Sequence, residues 1–157
     1  MRVHIATDHA GMELSAHLIK HLSSIGYEVI DHGPQAYDAE DDYPGFCINA
    51  AQAVVIDQQA GREALGIVLG GSGNGEQMAA NKVRGVRAAL AWNLDTAKLA
   101  RQHNDANVVA VGGRQHSVEE ATHIIEAFLA EPFSDAERHV RRIGQIAAYE
   151  STGSVTL

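Results

Sequence analysis

The sequence predicts an α/β fold: a doubly wound, five-stranded parallel sheet of order 2-1-3-4-5 with an extra C-terminal helix. Two observations carry this expectation. Short apolar runs alternate with stretches of helical periodicity, the pattern of a parallel sheet covered on both faces. The chain has 157 residues, of which 45% are hydrophobic, enough for one well-buried core and too few for two ordinary domains. One domain over residues 1–150 is expected, followed by a polar tail over 151–157 that frays.

Strands are expected at residues 3–6, 27–30, 65–69, 87–91 and 108–111. Leu14, Leu18, Leu22 and Ile25 form one apolar stripe at helical spacing, and Val118, Ala121, Ile125 and Phe128 form another; both read as core. Ser117 with Glu120 and Ser134 with Glu137 match the capping box, which places the starts of the last two helices. The final helix is therefore expected over 134–149, with Ala136, Val140, Ile143 and Ala147 as its core stripe. In the order 2-1-3-4-5, strands one and three are neighbours whose outgoing loops diverge, and the ligand crevice lies between them.

Composition narrows the function classes. The formal charge is -8, which argues against nucleic acid, since the phosphate backbone rewards basic faces. No early apolar run has a basic flank and a small-residue cleavage site, and none approaches a membrane span, so a cytoplasmic protein without a membrane partner is expected. Cys47 is the only cysteine, which excludes an internal disulfide and fits a reducing compartment. Flanked by Phe46 and Ile48, it reads as a buried thiol rather than a nucleophile.

The stretch Gly66-Ile67-Val68-Leu69-Gly70-Gly71-Ser72-Gly73-Asn74-Gly75-Glu76 takes an apolar strand into a glycine-rich turn ending on a carboxylate. Successive amides in such a turn converge on one point and hold a phosphate or a reaction oxyanion. Glu76 falls in the first turn of the following helix, where the helix dipole favours its ionised form. Alone it would be a surface glutamate at a helix start. Beside the nest it becomes a base whose product enolate has donors waiting. Ser72 either orients that carboxylate, binds substrate, or bonds its own backbone.

The first strand exits into Asp8-His9-Ala10-Gly11. Asp8 suits a helix cap, and His9 at the ligand edge suits a substrate contact. Arg138 and Arg142 share an outward face of the last helix, and with His139 and Arg141 they make the densest basic cluster of an acidic chain. Two adjacent guanidinium forks suit a phosphate, and Arg114, leaving the last strand at the crevice edge, is a third anion ligand. His103 ends the helix after strand four, which returns antiparallel to the strands and carries it away from that edge. A catalytic His103 would therefore come from a second subunit, and the same geometry places an Arg138 and Arg142 phosphate site across a dimer interface. Glu13, His17 and His21 align on the first helix and the acidic run 38–42 crowds one loop, but neither shows the ligand set of a catalytic metal, and both read as solvated. No metal or cofactor is expected.

Asp8-His9-Ala10-Gly11, the glycine loop continuing into Ala79-Ala80-Asn81-Lys82, His103-Asn104-Asp105-Ala106-Asn107 and Gly112-Gly113-Arg114 together resemble the type B ribose-5-phosphate isomerases, in order and over nearly the whole chain. The resemblance implies a flavodoxin-like, Rossmann-like fold, a homodimer with shared active sites, and metal-free interconversion of ribose 5-phosphate and ribulose 5-phosphate. It implies substrate binding by Asp8, His9, Asn104 and the loop residues Gly71, Ser72, Gly73, Asn74 and Gly75, ring opening by His103, and phosphate binding by Arg114, Arg138 and Arg142. Many members carry a cysteine base where this chain has Gly70. A branch similar to the actinobacterial enzymes places the base on a loop glutamate, which Glu76 matches. Another sugar phosphate of four or six carbons, or a non-catalytic phospholigand sensor, are the alternatives. Pairing of dimers into tetramers is left open.

Overall fold

The computed structural model describes residues 1–155. Thr156 and Leu157, the end of the expected tail, lie outside the described residues. Strands β1 (Arg2–Thr7), β2 (Glu28–Asp31), β3 (Ala64–Gly70), β4 (Ala88–Leu90) and β5 (Val108–Gly112) form one sheet. Helices α1 (Met12–Ser24), α2 (Tyr43–Gln59), α3 (Asn74–Ala80), α4 (Leu94–Asn104), α5 (Val118–Ala130) and α6 (Glu137–Thr152) connect or follow them, and a single 3-10 turn at His9–Gly11 joins β1 to α1. All strand pairings are parallel. One face of the sheet packs on α1, α4 and α5 through Ile5, Ile67, Val109, Leu18, Ile125 and Phe128. The other packs on α2 and α3 through Ala6, Val68, Ala110, Val54 and Ala80.

The doubly wound class holds, but the order is β2-β1-β3-β5-β4, not 2-1-3-4-5. Burial explains the exchange. Every residue of β5 is buried, as a strand covered on both faces requires, whereas β4 has three residues, two of them partly exposed. A short, half-exposed strand suits an edge. The Asn81 side chain closes on it from α3, accepting from the Ala88 N–H at 2.8 Å and donating to the Ala88 carbonyl at 2.9 Å.

The ends of the outer helices also differ from expectation. Ile25 caps α1 and is exposed. The Ser117 and Glu120 capping box forms as read, but the Ser134 and Glu137 one does not. Asp135 adopts a left-handed φ of 50°, so α6 begins at Glu137, and the Ser134 hydroxyl bonds His139 Nδ1 at 2.8 Å instead. The helix runs on through Ser151 and Thr152 to a left-handed Gly153. Its expected core stripe is not core: Val140 is 51% exposed, Ala136 and Ile143 are half-buried, Ala147 is exposed, and only His139 is buried. The amphipathic pattern is real, but this chain meets α6 at its two ends, where its first turns meet α4 and where Glu150 and Ser151 accept from the Gly85 N–H and Arg84.

Candidate active site

Three strands deliver their exit loops to the carboxyl edge of the sheet, and the loops are tied to one another. After β3, the Gly70 and Gly71 carbonyls accept from the Gly113 N–H at 2.8 Å and the Arg114 N–H at 3.2 Å, locking the glycine loop to the exit of β5. Gly73 takes a φ of 81° as N-cap of α3, and a Cβ there would stand 3.1 Å from the Val111 carbonyl carbon, so the turn needs glycine for conformation and for space. After β1, Asp8 caps the 3-10 turn by accepting from the Ala10 N–H at 2.9 Å. The resulting crevice, about 520 Å³, is lined by Asp8, His9, Tyr43, Ser72, Glu76 and Arg114 among others.

Glu76 is the unusual member. It is 4% exposed, and its carboxylate occupies the volume directly above Gly70, where a built Cβ would overlap Oε1 and Cδ. Burial drives its carboxyl above the usual carboxylate range, the negative Asp8 adds to the rise, and backbone N–H groups of Glu76 and Gly73 pull in the opposite direction. The helix start does favour the ionised form through those N–H groups, but desolvation is the larger effect. The Ser72 hydroxyl, by contrast, accepts from the Asn74 N–H at 3.3 Å and its side-chain amide at 3.3 Å, a local turn bond that leaves Ser72 at the crevice mouth.

Sequence reasoning passed over Tyr43, which lines this crevice, and read Asp41, which stands behind His9, as solvated. Tyr43 opens α2 and reaches the loop, where a Cβ on Gly75 would stand 2.5 Å from its hydroxyl. Asp41 bonds both the backbone and the ring of His9. Asp41 lies 32 residues from its partner, a pairing that no local spacing could signal. Asp8, His9 and Asp41 also offer three donor atoms within 4.8 Å of one another, the one His, Asp and Glu grouping among the described residues close enough to hold a cation.

Cys47 lies buried in α2. Burial, with Glu76 and Asp8 adding, pushes its thiol up to about 12. It stays protonated and unreactive at neutral pH.

His103, Asn104, Arg138 and Arg142 do not line the crevice. They gather where α4 ends, beside the start of β5 and so at the amino edge of the sheet. The His103 and His139 rings stand 4.3 Å apart. Burial, followed by the charges of His103, Arg138 and Arg142, holds His139 below the usual imidazole range. Arg138 and Arg142 make this end of the molecule basic, beside the two imidazole rings. The chain therefore carries two clusters at opposite edges of the sheet: a crevice with the carboxylates, the glycine loop and Arg114, and a patch with His103, His139, Arg138 and Arg142. The described residues contain no helix long and apolar enough to cross a membrane.

The chain is similar to proteins of known name and to solved structures. The ribose-5-phosphate isomerase B of Mycobacterium tuberculosis is 56% identical over 152 residues, covering 97% of this chain and 91% of that protein. The protein of the same name from Mycolicibacterium paratuberculosis is 55% identical, covering 97% and 93%. Among solved structures, ribose-5-phosphate isomerase B of Mycoplasma genitalium with bound ribulose-5-phosphate superposes with a TM-score of 0.89 at 40% identity, covering 96% and 97%. Type B ribose 5-phosphate isomerase of Trypanosoma cruzi gives 0.87 at 41% identity, covering 98% of each chain. Residues 3–146 match the profile of the ribose/galactose isomerase family, and the chain belongs to that family.

Proposed function

We propose that the chain interconverts D-ribose 5-phosphate and D-ribulose 5-phosphate through a cis-enediolate, with Glu76 as the base. The observation that carries this reading is the buried Glu76 carboxylate seated above Gly70 at the glycine loop. A base for a C–H proton must be close, oriented and only moderately acidic, and burial supplies the last of these. Glu76 removes the C2 proton of the aldose and returns it to C1. The N–H groups of the 71–75 loop stabilise the enediolate oxygens, in a role where one donor is typically worth about 2.7–4 kcal/mol. Asp8 and His9 hold the sugar hydroxyls, and Arg114 meets the phosphate end, orienting the reacting carbons over the base.

The remaining groups come from a second copy. His103 of the partner subunit opens the furanose near Asp8, and the partner's Arg138 and Arg142 complete the phosphate site. The exposed apolar side chains of α6, Val140, Ile146 and Tyr149, are surface that such a homodimer buries.

Purified protein assayed on ribose 5-phosphate and on four- and six-carbon sugar phosphates, with a chelator present, tests the activity. Ribose 5-phosphate is expected to turn over fastest and to be indifferent to the chelator. Preference for another sugar overturns the substrate, and loss of activity with chelator overturns the metal-free reading and points to a cation at Asp8, His9 and Asp41. Complementation tests the shared site. Glu76→Gln and the double variant Arg138→Ala with Arg142→Ala are each expected to be nearly inactive. Reassociated one to one, they form half heterodimers with one intact site in two, recovering about a quarter of wild-type activity. No recovery would place the whole site within one chain.

A further inference from the structure

The acidic loop between β2 and α2 reads from sequence as solvated, and one of its carboxylates is not. The Asp41 side chain is 8% exposed and is committed to a single residue. The His9 N–H donates to Asp41 Oδ1 and Oδ2, both at 3.1 Å, and His9 Nδ1 lies 2.6 Å from Oδ1. Tyr37 stands edge-on to the same imidazole, with ring centroids 6.0 Å apart.

We propose that Asp41 is a positioning residue that holds His9 in its Nδ1–H tautomer, so that Nε2 faces the sugar hydroxyls as an acceptor; this rests on the isomerase reading of the crevice. A carboxylate can only accept, so the proton of a neutral His9 ring must sit on the nitrogen that Asp41 contacts. The alternative tautomer has a cost specific to this site, because it would set the Nδ1 lone pair against Asp41 Oδ1 at 2.6 Å. Asp8, another carboxylate of the crevice, lies with His9 and Asp41 in one cluster whose donor atoms are within 4.8 Å. With Nδ1–H given to Asp41, Nε2 is left as an acceptor, and together with the Asp8 carboxylate it suits the two O–H donors of a vicinal diol. Asp41 thus acts on substrate binding through His9 without needing to touch the sugar.

The test compares Asp41→Ala and Asp41→Asn with wild type. Removing a group that orients a histidine typically costs about 10- to 100-fold, expected here as a rise in KM for ribose 5-phosphate with kcat within a few-fold. Asparagine retains an oxygen that accepts from Nδ1–H and recovers most of that loss. Nitrogen-15 NMR of the ligand-free protein at pH 8.5, with the His9 signal identified by its loss in His9→Asn, is expected to show Nδ1 protonated in wild type and in Asp41→Asn, and Nε2 protonated in Asp41→Ala. A wild-type His9 protonated on Nε2, or an Asp41→Ala enzyme with lowered Tm but unchanged KM, overturns the proposal. Failure of the wild type to isomerise ribose 5-phosphate would overturn the isomerase reading instead, and the tautomer measurement, which needs no substrate, still decides the role of Asp41.

Discussion

Glu76→Gln is expected to lower kcat by about 10²- to 10⁴-fold while leaving substrate affinity nearly unchanged and raising Tm at neutral pH. The two effects have one cause. The carboxylate suits the proposed role of base because burial has raised its affinity for a proton, and the same burial makes its ionised form a liability to the fold. A group whose folded pKa lies above its unfolded value binds more protons in the native state. Its contribution to stability therefore falls as pH rises from the unfolded value through the folded one. Above that window the wild type carries the full cost of an ionised buried carboxylate, and glutamine, of nearly the same shape, does not. Below the ordinary carboxylate range of about 4.3 the Tm difference disappears. Thermal unfolding against pH checks this, and a Tm that falls together with kcat would mean that the variant is damaged rather than disarmed. The kcat/KM profile supplies a second check, because activity needs Glu76 ionised. Its acid limb should fall off above the ordinary carboxylate range, and a midpoint within that range would remove Glu76 as the base.

The parts of this site legible in sequence were those fixed by local chain geometry. The ends of β1, β3 and β5 follow from continuous apolar runs, and glycine, Asp8 and Glu76 positions follow from turn and cap chemistry next to them. The direction of α4 was likewise enough to carry His103 away from the crevice edge. What sequence could not supply was set by contacts between distant segments. The inner position of β5 depends on which strand can be buried on both faces, and chain order alone does not rank the run at 87–91 against the run at 108–111. Asp41 looked solvated because four acidic residues share its loop, and only the fold brings one of them onto His9. The α6 stripe had the period of a core helix, and period alone does not say whether its own chain or another covers it.

Gly70→Ala is expected to lower kcat/KM by about 10²-fold and to cost about 1–3 kcal/mol of stability, although alanine is ordinarily at least as acceptable as glycine in a strand. Gly70 ends β3 paired with Gly112, and no left-handed backbone forbids a side chain there. The obstacle is the Glu76 carboxylate, which fills the volume that a Cβ would enter, with Oε2 lying 2.9 Å from it and the other oxygen closer still. Both ends of the contact are held, since Gly70 is clamped through its carbonyl to Gly113 and Glu76 is fixed in the first turn of α3. The methyl group therefore displaces the base or shifts the loop, and either moves the proton acceptor relative to its donors. A double-mutant cycle separates crowding from charge. The stability penalty of Gly70→Ala should persist in a Glu76→Gln background, where the volume remains and the charge is gone, and should vanish in a Glu76→Ala background, where the volume is gone. An equal penalty in all three backgrounds would show that Gly70 is required for the backbone and not for the base. Mutual exclusion of side chains at positions 70 and 76 also gives a physical reason for the pattern that the sequence resemblance implies: a base can rise from the strand end as a cysteine or reach back from the helix as a glutamate, and one pocket above the strand holds only one of them.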